Sequence, residues 1–545
     1  MNSETWLVSR ISSFVGRCSR ETLRASRFTV LVFAMVLSLS LDLNLLHAAS
    51  PGLAERVIEH KLANGLTVLM VERHQTPIVS INMTFAVGGV NEQVGQTGLA
   101  HLYEHMAFKG TRTIGTKDYA KEKPILDELS RAGTELEQRQ REAARRSQER
   151  PADPDEPAAI AALQQRVKDL QEQAAQYVSG NEMALLYQRH GGVGLNAATG
   201  KDLTRYMINL PSNRLPLWAA IEADRMANPV LREFYKERGV VMEERRLRND
   251  DSPSGLLFET FTSAAFRAHP YGVPTIGWES DILSLTPATT EEFFKTYYGP
   301  GRATIGIVGD INPKDVIALI ENTFGKIPAA PPPPQIVTVE PPQRGERRVE
   351  VEFDAEPSLA IGFHKPGLGH PDDYVFDVID EILTDGLTSR LYTKLVLGGR
   401  LASSVNSDAN YPGVRAPNLF VLQATPLAPH TAAEVEAAIL AELERLKSEP
   451  VTAKELEKVL NNLDADMVRA LRSNSGLASQ LALYQTVAGD WRYMLNARDK
   501  IAAVTPADIQ RVASEYFTKS NRTVATLVKK VAVKQAAASA GEVTR

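Results

Sequence analysis

Two stretches of this chain repeat one another across a run of prolines, and that duplication restricts the fold more than any other feature. Leu285 to Ala288 (LTPA), the aromatic stretch Phe293 to Tyr298 and the β-branched run Arg302 to Val308 have counterparts in Val504 to Ala507 (VTPA), Val512 to Phe517 and Arg522 to Val528. In both copies Thr-Pro is placed to open a helix, with proline in the first turn where its missing N–H leaves nothing unbonded, and the helix gives way to a strand. Between the copies lies Ala329 to Gln335 (AAPPPPQ), followed by Pro341 and Pro342. Such a run resists helix and sheet and makes an extended, semi-rigid connector. At 545 residues and 43% hydrophobic content the chain has enough material for two large cores. The expectation is an α+β protein with halves at 51–328 and 347–530, a linker at 329–346 and a flexible tail at 531–545.

Chemistry concentrates in the first half. His101, Glu104 and His105 form an H-x-x-E-H sequence. The alternating segment from Ile78 to Val87 precedes it and reads as a strand ending at Gly88 and Gly89. Gly95 to Gly98 then break the chain, Thr97 or the glycines open a helix, and Gly110 stops it. At about 100° per residue the two histidines stand about 40° apart, with Glu104 on the same side. Two imidazoles on successive turns can share one zinc ion, and a carboxylate beside them can take a proton from water.

A catalytic zinc ordinarily has three protein ligands. The best region for a third is the charged helix from Glu233 to Arg246, where Glu237 and Glu244 are two turns apart and share a face, while Glu243 points about 100° away. The same residues also suit an ordinary solvated helix with pairs such as Glu233 with Lys236.

The run from Gly98 to Thr111 (GLAHLYEHMAFKGT), together with Lys236 to Glu244 (KERGVVMEE), resembles the pitrilysin or insulinase family of inverted-zincin zinc peptidases, which includes the β subunit of the mitochondrial processing peptidase. The resemblance implies one Zn²⁺ per chain on His101, His105 and Glu244, Glu104 as general base, and Glu237 as a supporting carboxylate. It implies two homologous metallohydrolase-like α/β sandwich domains forming a clam-shell, cleaving extended or unfolded peptides. Leu195 to Thr199 is similar to the family's edge strand, which would make Asn196 and Ala197 substrate contacts. Asn196 equally suits a plain turn or strand edge.

Two departures stand out. Residues from about 125 to 185, charged and broken at Pro151 to Pro157, read as a helical hairpin inserted in the first half. Many relatives also carry an arginine and a tyrosine in the second half, where this chain has Val396 and Ser403. The second half has no histidine in Tyr374 to Leu383, the stretch matching the motif helix, and Asn462 stands where Glu244 does. An alternative is therefore a metal-binding subunit, or an assembly protein with little activity alone, completed by a second copy or a related chain.

Arg10, Arg17, Arg20, Arg24 and Arg27 precede the apolar run Phe28 to Leu41, and Ala48, Ala49 and Ser50 follow. This reads as a signal peptide over 1–50 and an exported, periplasmic protein, with an uncleaved membrane anchor as the alternative. The one cysteine, Cys18, lies inside it. A net charge of −5 without a basic stripe argues against nucleic acid. His74, His190, His269, His364, His370 and His430 read as ordinary surface or hydrogen-bonded histidines. Arg390 and Tyr392 read as capping or packing residues.

Overall fold

The computed structural model describes residues 52–149 and 155–530. The N-terminal segment read as a signal, with Cys18, and the tail from residue 531 lie outside the described residues. Leu53–Arg56 is a short helix at the end of one unit, and everything from Val57 onward is a second unit. None of the described helices is long and apolar enough to cross a membrane.

The first half is built on a six-stranded sheet: β1 (Ile58–Lys61), β2 (Thr67–Glu72), β3 (Ile78–Phe85), β4 (Val193–Thr199), β5 (Thr204–Pro211) and β6 (Ala303–Gly309). Its helices include α1 (Leu99–Met106), α2 (Tyr119–Glu149), α3 (Glu156–Ala175), α4 (Phe234–Arg245) and α5 (Pro253–Ala265). The second half has five strands, β7 (Arg347–Phe353), β8 (Ser358–Lys365), β9 (Ala402–Tyr411), β10 (Asn418–Pro426) and β11 (Arg522–Lys529). Its helices include α6 (Pro371–Leu383), α7 (Ala453–Arg472) and α8 (Asn474–Ala488).

The duplication seen in the sequence is a duplication of topology. Leaving out β1, the first sheet runs β2-β6-β3-β5-β4 and the second β7-β11-β8-β10-β9. Counted within each half, both read first, fifth, second, fourth, third. Each has a single parallel pair, β2 with β6 and β7 with β11. These are the two homologous α/β halves of the expected clam-shell.

The halves are also exchanged. Along β3, Val79, Ile81, Met83 and Phe85 enter the main core with Leu99, Leu102, Tyr103 and Met106 of α1. The alternate residues Ser80, Asn82 and Thr84 are equally buried, because α8 from the second half packs across β3 and β6. A strand that looks half-solvated by pattern is thus covered on both faces. Reciprocally, Leu257, Phe261 and Ala265 of α5 pack against Val351, Ala360 and Ala525 of the second sheet. Glycine makes both approaches feasible. A Cβ on Gly306 would collide with the carbonyl of Ala478, and one on Gly362 with the ring of Phe261.

Residues 328–346 form neither helix nor strand, yet they are tethered. Glu340 accepts from the amides of Arg267, Ala268 and His269 at 2.8, 2.8 and 3.0 Å. The helices α2 and α3 form a hairpin: Thr116 bridges Val178 at its root, and Arg146 lies 3.6 Å from Glu156 at its far end. Its root is packed, with Leu129, Val167 and Leu170 against Tyr235. There Arg232 and Glu122 form a fully buried ion pair of 2.8 Å, and Arg232 also bonds the carbonyls of Lys109 and Ile114.

Candidate metal centre

α1 begins at Gly98, whose φ of 89° and crowding against the carbonyl of Ile276 demand glycine. Its first amides are capped from a distance. Glu92 accepts from Gly98 N at 2.9 Å and Ala100 N at 2.8 Å, while the Thr97 hydroxyl donates to Asp281. A buried carboxylate at this end satisfies orphan amides and suits the helix dipole, although burial lifts its pKa to about 8. Thr97 therefore does not cap the helix itself.

α1 and α4 cross so that one polar group forms between them. Nε2 of His101 lies 3.7 Å from Oε1 of Glu244, and Nε2 of His105 lies 3.3 Å from Oε2 of Glu244. Donor atoms of these three residues fall within 4.8 Å of one another, and no other such group of His, Cys, Asp or Glu occurs among the described residues. A tetrahedral ion with bonds of about 2.0–2.1 Å holds its donors roughly 3.3–3.5 Å apart, close to the two histidine–carboxylate distances. The donor set, two imidazoles and a carboxylate, suits the same ion.

Protonation supports ligation at one ring and resists it at the other. Burial draws His101 down to about 4, which keeps it neutral; its Nδ1 is buried without a hydrogen-bond partner among the described residues. Burial also works to lower His105, but Glu237 and Glu244 outweigh it and lift this ring to about 9. A cation at the centre must displace that proton.

The remaining carboxylates have distinct neighbours. Burial raises Glu104, and the Thr199 hydroxyl donates to its Oε2 at 2.6 Å. Glu237 lies 3.6 Å from Nδ1 of His105 and 2.5 Å from Nζ of Lys109. Burial pushes Glu237 up, but His105 and Lys109 together bring it below the usual range. Glu243 is exposed and paired with Arg246, away from the group.

β4, with Asn196 and Ala197, is the outer strand, paired only with β5 among the described strands. Asn196 is exposed, whereas Ala197 packs against the main core. Thr199 ends this strand and is the residue that reaches Glu104. Glu92, Lys109 and Thr199 are contacts that sequence reading missed. Lys109 and Thr199 meet partners far along the chain, Glu237 and Glu104, whereas Glu92 caps amides six to eight residues ahead.

The other expectations also find places. His74 bonds Asp310, His190 the carbonyl of Leu186, His269 the amide of Tyr271, His364 the carbonyl of Ala265 and His370 the amide of Asp372; His430 lies 3.7 Å from Glu434. Arg390 is bound to Glu455 at 2.8 Å, and Tyr392 packs on the second core. Val396 packs on that core too, and Ser403 bonds the carbonyl of Thr425. Asn462 donates to Glu381 at 3.0 Å.

Residues 67–138 and 170–278 match the family model described as Insulinase (Peptidase family M16), and residues 284–463 match its Peptidase M16 inactive domain. The chain belongs to peptidase family M16. The gap between the first two matched pieces falls in the α2–α3 hairpin. Among curated relatives of this M16 chain is the zinc protease PqqE of Helicobacter pylori, 29% identical over 471 residues, covering 85% of this chain and 90% of that protein. An uncharacterized zinc protease, YmxG of Bacillus subtilis, is 24% identical over 469 residues, covering 84% and 94%. The crystal structure of a protease from Helicobacter pylori superposes with a TM-score of 0.71 at 28% identity, covering 87% of this chain and 99% of that one. The first half of the periplasmic protease PqqL from Escherichia coli shares the fold, with a TM-score of 0.62 at 17% identity over 87% and 92%. A peptidase-type function follows for this M16 chain.

Proposed function

We propose that this M16 chain is a zinc metalloendopeptidase that hydrolyses peptide bonds in extended or unfolded polypeptides. The observation that carries the reading is the meeting of His101, His105 and Glu244 from two crossing helices, with Glu104 on the same turn of α1. His101, His105 and Glu244 would hold one Zn²⁺ per chain. When bound, zinc supplies a Lewis acid that draws the pKa of a water towards about 7 and polarises the scissile carbonyl. Glu104 takes a proton from the attacking water and passes it to the leaving amine. Thr199 aims Glu104, and Lys109 with Glu237 steadies His105. The outer edge of β4 offers unpaired backbone groups to which an extended peptide can add as a strand, with Asn196 and Ala197 alongside. We read residues 51–328 as the catalytic half and 347–530 as the inactive one. The export reading rests on the N-terminal sequence, with support from the periplasmic PqqL.

The purified chain should carry one zinc and cleave a quenched peptide, with Glu104→Gln lowering kcat by about 10²- to 10⁴-fold and a chelator abolishing turnover. Glu244→Gln should empty the site of zinc far more than Glu243→Gln; equal losses would remove Glu244 from the ligand set. The subunit reading draws on Val396 and Ser403, which leave the second half without the expected arginine and tyrosine. Zinc without turnover until a related chain is added would favour it.

A further inference from the structure

Two cavities meet at Arg248. The first, of about 350 Å³, opens beside His101 and Thr199 and has Phe258, Ile276 and Tyr411 in its walls. The second, of about 560 Å³, is walled by Asn406, Ser407 and Asp408 of β9 and Gln423 of β10. Arg248, Gly255, Phe258 and Tyr411 border both. They are adjoining stretches of one groove that starts at the metal centre, passes the first turns of α5 and reaches the sheet of the second half.

Arg248 sits in the wide turn Arg246–Asp250 that continues α4, four residues beyond Glu244. Its backbone is seated against Gly255, where any Cβ would collide with the Arg248 carbonyl. The root of the side chain is therefore fixed, whereas the side chain itself is 72% exposed. One guanidinium nitrogen lies 2.5 Å from Oε1 of Glu244. A guanidinium has five N–H donors, so most remain unspent. The neighbouring cations are committed elsewhere. Arg245 is bound to Glu259 and the Gly277 carbonyl, Arg246 to Glu243 and Asp251, and Lys201 is buried on the Val273 carbonyl.

We propose that Arg248 is the substrate clamp of this groove, its free N–H groups binding backbone carbonyls of a peptide that runs from the metal centre toward β9. A planar fork of donors suits successive carbonyls of an extended chain, which a single ammonium matches less well. The proposal rests on the peptidase reading and assigns a residue of the first half, Arg248, to holding substrate. Were Arg248 only an exposed helix pair for Glu244, it would contribute little and substrate would not sense it.

The test uses the full-length zinc-loaded chain and a labelled peptide of about ten residues, long enough at about 3.3 Å per residue to span both cavities. Arg248→Ala should raise KM about tenfold with kcat changed less and zinc content unchanged. Arg248→Lys should recover only part of the loss, millimolar guanidinium should improve KM in Arg248→Ala, and Arg246→Ala should behave as wild type. Peptide binding to Glu104→Gln, with and without Arg248→Ala, reads the clamp without turnover. An inert but zinc-bound wild type would thus overturn the peptidase reading while leaving this measurement intact. Unchanged KM and binding in Arg248→Ala, or a loss that tracks lost zinc, would overturn the clamp.

Discussion

Thr199 is the residue that connects the edge of β4 to Glu104, the proposed base. It closes β4 and donates to Glu104 at 2.6 Å, so a peptide added to that strand lies against the residue that aims the carboxylate. Removing only the hydroxyl, Thr199→Val should lower kcat roughly 10- to 100-fold while zinc content stays at wild type, with Thr199→Ser restoring most of the rate. A variant with full kcat would show that Glu104 needs no such partner. This contact also marks the limit of what one sequence discloses about a site. H-x-x-E-H is legible because its residues share a stripe of a single helix. Glu244 depends on two helices crossing, and local spacing alone does not separate it from a residue of an ordinary solvated helix. Glu92, whose cap lies six to eight residues ahead, follows no short capping pattern.

At the scale of elements, α6 is an image of α1 in carboxylates. Asp377, Asp380 and Glu381 repeat the spacing of His101, Glu104 and His105. Asn462 bonds Glu381 where Glu244 meets His105, and Ser407 of β9 bonds Asp380 where Thr199 of β4 bonds Glu104. The framework of the proposed metal centre is repeated, with acids at the two histidine positions and an amide, Asn462, at that of Glu244. Burial raises Asp377 to about 7, aided by Asp373 and Asp380 on its own helix and opposed by Lys365 of β8 and a bond from Asn410 of β9; Tyr484 of α8 also faces it. A raised carboxylate binds its proton more tightly in the folded chain. Its stabilisation is present below the unfolded pKa of about 4 and is lost as pH rises through about 7. Asp377→Asn should therefore raise Tm at pH values above about 7 and show a shrinking advantage on acidification to about 4, measured by thermal melts across pH. An equal Tm difference at every pH would mean that charge is not the cause. The sequence displays α6 as the counterpart of α1 without histidine, and the surroundings of its acids emerge only when α7 and β9 are folded against it.

Across the whole molecule, the two-half plan is readable from the repeat, but the exchange of α5 and α8 is not. The periodicity of β3 reports a strand with one apolar face, and only the arrival of α8 buries the other. Small residues are what permit it, and Gly306 is the tightest point. Gly306→Ala should destabilise the chain by about 1–3 kcal/mol in denaturant titrations, because the Ala478 backbone must retreat. A neutral result would mean that α8 has slack over β6. The crossing of helices between halves also has a bearing on how such a polypeptide matures. Synthesis delivers residues in order, so when β6 has just emerged the partner that covers it is still well over a hundred residues away, and the first sheet waits with one side bare. Until Asn474–Ala488 arrives, the newborn first half is an unfinished surface that needs protection, and cutting the gene at the proline run would leave two fragments that each lack a wall.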